Sequence, residues 1–203
     1  MIPLNLTSID VGNPAIPGST LTTPQGYLLR AGGADIWGQR DEFHFAGQQH
    51  TGDFDATVRV ASHTLSHPYA KAGLMIRATL DDNAAMFYHF VFPDNSLRNN
   101  NNGGHESHVR SQAGEKCRAI YPADSTSTPP PFPVTWPNTW MRVTRRGQRY
   151  EAWASSDGSN WALFCSVDTP MPETVWLGLA VCSHDAAKEC AGEFCDLRIE
   201  AAR

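Results

Sequence analysis

Along much of this chain an apolar side chain recurs at every second position, and that spacing restricts what the chain can fold into. In Gly52-Asp53-Phe54-Asp55-Ala56-Thr57-Val58-Arg59-Val60, Phe54, Ala56, Val58 and Val60 fall on one side and Asp55, Thr57 and Arg59 on the other. A two-residue period is a strand buried on one face. Ala70 to Arg77 repeats it, with Ala72, Leu74 and Ile76 directed inward and Lys71, Met75 and Arg77 directed away. Met86 to Phe92 is almost continuously apolar, which suits a central strand covered on both faces. Trp140 to Arg145 and Arg149 to Ala154 flank Arg146-Gly147-Gln148, a hairpin signal, and Asp157-Gly158 turns the chain into Trp161 to Val167. Val175 to Val181 and Phe194 to Glu200 complete the strands. No amphipathic helix longer than a turn or two is found. Many short strands separated by Gly, Pro and Asn point to an all-β sandwich or barrel.

Composition agrees with a packed core. Of 203 residues 41% are hydrophobic and only 18% charged, which argues against a disordered chain. There is no linker, composition break or internal repeat, so residues 1–203 are expected to form a single domain, with 1–26 as an extended edge segment. The net charge is −5 and no dense Lys/Arg cluster occurs, so neither nucleic acid nor an anionic membrane surface is an expected partner. No run of about 18 apolar residues could cross a membrane as a helix. The first residues lack a basic region followed by an apolar stretch. The chain as written is expected in the cytoplasm, or outside the cell where a leader has been removed. Nothing in the pattern sets an oligomeric state.

The five cysteines, Cys117, Cys165, Cys182, Cys190 and Cys195, form no CxxC pair. Buried free thiols are the expectation, although Cys182, Cys190 and Cys195 lie close enough in sequence to include one bridge. Two loops stand out. Asn99 to Gly104 is polar and low in complexity, and Asp124 to Pro137 is proline-rich and stiff; both are long enough to shape a binding rim.

Several segments occur in an order that resembles a known family: Gly33-Ala34-Asp35-Ile36-Trp37-Gly38, Asp41-Glu42-Phe43-His44-Phe45, Gly52-Asp53-Phe54, Lys71 to Arg77, Ser156 to Trp161, and Gly178 to His184. The chain is similar to the concanavalin A-like domains related to the yeast "regulation of enolase" protein, from about Ile9 to Ile199. It departs from the usual pattern at Cys182, where Thr or Ser is more typical. The resemblance implies a jelly-roll sandwich of two antiparallel sheets, one of them concave, and many superfamily relatives bind or cleave glycans in that groove. It carries over no catalytic set.

Sugars are held by aromatic faces and by planar polar side chains. The outward positions offering these are Trp37 (on a loop), His44, Lys71, Arg77, His89, Arg110, Arg142, Trp176 and His184. All but Arg142 are the expected ligand-binding set, with a carbohydrate as partner and no catalysis. The Arg77 guanidinium would suit a carboxylate-bearing sugar, or an internal salt bridge. Hydrolysis is disfavoured, because the Glu-x-Asp-x-Glu strand pattern of the superfamily's retaining glucanases is absent. β-Elimination is the stronger enzymatic alternative, with His44, Tyr88, His89, His184, Arg77 and Arg110 as candidate base and charge neutraliser. A protein-interaction or regulatory module is a third reading. His63 and His67, and His105 and His108, have ligand-like spacing but are expected on loops, so no metal or other cofactor is expected, while a loop calcium ion would leave no signature here.

Overall fold

The computed structural model describes residues 4–96, 103–121 and 131–202, and these contain sixteen strands and no helix. Residues 99–102 of the Asn-rich loop and 124–130 of the Pro-rich loop lie outside the described residues. Strands are numbered in chain order. The first sheet runs β1 (Thr7–Val11), β6 (Phe43–Thr51), β15 (Thr174–Cys182), β8 (Lys71–Arg77), β9 (Met86–Val91), β10 (His105–Arg110) and β11 (Arg118–Ile120). The second runs β14 (Ala162–Asp168), β13 (Arg149–Ser155), β12 (Thr139–Arg146), β7 (Phe54–His63), β16 (Cys190–Ala201), β3 (Gly26–Ala31) and β2 (Ser19–Thr23). A small hairpin, β4 (Ile36–Trp37) and β5 (Arg40–Asp41), stands apart from both. The pairings are antiparallel, and the architecture is a jelly-roll sandwich of the concanavalin A-like kind.

The period-two pattern builds the interior. Phe54, Ala56, Val58 and Val60 of β7 meet Ala72, Leu74 and Ile76 of β8 and Val175, Leu177, Leu179 and Val181 of β15 in one buried cluster. Gly73 is required by contact distance: a Cβ there would lie 2.1 Å from the His89 carbonyl oxygen on β9. The N-terminal segment gives one edge strand to each sheet, β1 and β2, and Ser8 and Thr20 bond across at 3.1 Å.

The interior also holds polar groups. Leu74 pairs with His89, which places the His89 ring on the core side, stacked on His105 at 5.6 Å and against Phe164 of β14 at 5.0 Å. Ser107 joins them, 2.8 Å from His89 Nδ1, and Cys165 Sγ lies 3.3 Å from its hydroxyl. Burial holds these imidazoles neutral, with His105 lowered to about 4 and His63, at the end of β7, to about 3. The expectation that both histidine pairs lie on loops is therefore corrected: His63, His105 and His108 are on strands. All five cysteines are buried free thiols, and burial pushes Cys117, Cys182 and Cys190 up to about 12.

The outer face of the first sheet is not open. A second apolar cluster, including Ile36, Phe43, Phe45, Met75, Tyr88, Phe90, Ala180 and Cys182, covers much of it. The expected trough running across the whole sheet is filled over its central strands by the chain from Gly32 to Asp41.

Candidate functional site

The cover is held by buried charge. Asp41 of β5 receives Arg110 Nη2 at 2.7 Å and Nη1 at 2.8 Å, with Arg77 Nη1 at 3.4 Å, and all three side chains are fully buried. Further guanidinium donors go to carbonyls, Arg77 to Thr79 and Asp81 and Arg110 to Gly38, Ala84 and Glu115, and Arg77 Nη1 also reaches the Met75 sulfur at 3.3 Å. Charge-assisted bonds of this kind offset the cost of desolvating three ions and tie three loops down onto the sheet.

Next to this clamp, the segment from Gly32 to Trp37 crosses the sheet. Ser183 and Cys182, at the end of β15, both donate to the Gly33 carbonyl. Gly33 has φ +105°, and a Cβ there would lie 2.0 Å from the Glu42 carbonyl oxygen, so only glycine fits. Asp35 then meets Lys71 of β8, and the Ile36 carbonyl lies 3.1 Å from His108 Nδ1 on β10.

Beyond the crossing segment lies a cavity of about 310 Å³ lined by Asp35, Trp37, Tyr69, Lys71, Phe92, Glu106, His108, Ala119, Tyr121 and His184. Two polar groupings form its floor. In one, Lys71 Nζ lies 2.5 Å from Asp35 Oδ1, 3.1 Å from the Tyr69 carbonyl and 3.2 Å from His184 Nδ1. Burial alone would raise the Asp35 carboxyl; the His184 bond and Lys71 outweigh it and hold it well below the usual carboxylate range. In the other, Glu106 Oε1 lies 2.7 Å from His108 Nε2. Burial lowers the His108 pKa despite the Glu106 carboxylate.

Aromatic rings stand above this floor. The Trp37 ring is tilted against that of His108, with centroids 4.7 Å apart, and stays 43% exposed. Tyr69 packs edge-on to Phe92 at 5.5 Å and stays 37% exposed. His184 is stacked on His67 at 4.4 Å, and its backbone is left-handed at φ 56°, an uncommon conformation for a non-glycine residue. Exposed rings over a fixed polar floor can take a ligand with one apolar face and several hydroxyls.

Of the eight residues read from the sequence, the structure brings Trp37, Lys71 and His184 together here. Trp176 and Arg77 lie at the far end of the same sheet face, about 20 Å away along the strands, and Arg77 and Arg110 are sealed beneath the hairpin. Two expectations of outward direction are corrected. His44 pairs with inward-facing Val181 and sits between Asp10 (2.7 Å), Ser8 and Thr20 at the sandwich edge. His89 lies in the core. Arg142 is on the second sheet, paired with Asp55. The proposed elimination set is dispersed accordingly, and buried Tyr88 spends its hydroxyl on the Ala180 carbonyl. Asp35, Tyr69, Glu106 and His108 were not foreseen in the pocket. The signal for the last two was Glu106-x-His108, a period-two polar pair hidden in a stretch that is polar on both faces.

Neither a known family description nor a curated protein sequence matches this chain. Solved structures do. A functionally unknown protein from Saccharomyces cerevisiae superposes with TM-score 0.71 at 18% identity, covering 98% of this chain and 97% of that one. The carbohydrate binding module CBM66 from Bacillus subtilis gives 0.61 at 13% identity, covering 98% and 99%. The VIP36 exoplasmic/lumenal domain in its Ca²⁺/Man3GlcNAc-bound form gives 0.55 at 13%, covering 92% and 84%. At these identities the likeness is one of fold.

Proposed function

We propose that this chain is a single concanavalin A-like domain, of the family related to the yeast "regulation of enolase" protein, that binds a carbohydrate without chemistry of its own. The observation that carries this reading is the pocket in which exposed Trp37 and Tyr69 stand over the Lys71–Asp35–His184 and Glu106–His108 groups. Stacking on aromatic faces and directed bonds from planar polar groups are what sugar recognition needs. A carbohydrate binding module and a Man3GlcNAc-bound lumenal domain that share the fold add support. The site lies at one end of the sheet face, not along a full-width groove.

Calorimetry against a panel of glucan, mannan, xylan, galactan and fructan oligosaccharides tests the reading. At least one is expected to bind, and Trp37→Ala, which removes an exposed platform, is expected to weaken it about tenfold, near 1.4 kcal/mol, with an unchanged melting temperature. Absence of binding throughout the panel, or binding indifferent to Trp37→Ala, would overturn it.

A further inference from the structure

The pocket's walls also bear on how a carbohydrate enters. Resting on the carbohydrate reading above, we infer that the pocket receives the end of a glycan chain.

The end-on geometry follows from the crossing segment. A polysaccharide lying along the outer face of the first sheet would have to pass over β15, β8, β9 and β10. The Gly32–Trp37 segment occupies that path. It is anchored at β15 through Ser183 and Cys182, at β8 through Lys71 and at β10 through His108. Ile36, fully buried, fills the space between it and the sheet. A chain therefore meets a wall on that side, and the cavity of about 310 Å³ is small, at the low end of the roughly 300–1,000 Å³ usual for small-ligand sites. A terminal sugar fits that description better than an internal run of the polymer.

The test titrates the whole chain by calorimetry with oligosaccharides of increasing length for each sugar of the panel. Affinity per molecule is expected to stay constant as the chain lengthens, because each molecule offers the same end. Affinity per molecule that rises steadily with length would overturn end-on recognition and leave carbohydrate binding standing. Silence across the entire set would overturn both this inference and the reading on which it rests.

Discussion

Single residues show where side-chain direction alone was informative and where it was not. Lys71 lies on the outer face, as the alternation in Ala70 to Arg77 requires, and it reaches the pocket. His89 reads the same way in an apolar run, yet a run apolar at every position carries no phase, and the ring falls on the core side. That placement has a thermodynamic consequence. His105 and His63 have pKa values lowered by burial, to about 4 and about 3, against an ordinary 6.5. Between pH 6.5 and 4 the unfolded chain binds protons that the folded chain does not, so stability falls as pH is lowered through that window. For a fully buried imidazole shifted that far the dependence amounts to about 3 kcal/mol. Urea unfolding at pH 7 and pH 4.5 is expected to show a clear loss at the lower pH, and a smaller loss in His105→Phe, which cannot titrate. Equal losses in the two proteins would contradict the assignment.

Elements were legible in proportion to how one-sided they are. β7 alternates cleanly because its outer face meets solvent, and β12 and β13 follow from the same rule; β8 and β15 keep a clear apolar inner phase although their outer faces are largely covered. β10 escaped because His105, Ser107, Glu106, His108 and Arg110 put polar groups on both of its faces, so no apolar phase marks it. The β4–β5 hairpin escaped for another reason: each of its strands is two residues long, and its position is set by long-range charge pairing, which local pattern does not encode. Asp41 is the hinge of that pairing. Asp41→Asn removes the carboxylate and leaves two buried guanidinium groups facing each other, a change expected to cost about 3–5 kcal/mol. A marked drop in the urea midpoint, with a parallel loss of protection at the amides of residues 36–41 in hydrogen exchange, is the expected result. An unchanged midpoint would show that the clamp is not what holds the hairpin.

At the level of the whole molecule, two-sheet architecture was available from strand number, spacing and turn residues, because a sheet with one apolar face must bury it against another. What could not be read was the second layer of packing on the outer face of the first sheet. It turns the expected open trough into a bounded pocket at one end and removes Arg77 and Arg110 from any surface. The functional account therefore depends on where an incoming sugar settles among the chain's six tryptophans. Trp37 stands over the pocket, whereas Trp140 and Trp153 belong to the second sheet and Trp161 lies beside Asp55 and Arg142 on that same sheet. Following the indole N–H resonances by NMR, during titration with each neutral oligosaccharide of the panel, separates these positions directly. The account expects a saturable shift of the Trp37 resonance with Trp140, Trp153 and Trp161 unmoved. Shifts centred on those three, or no shift with any sugar, would contradict it.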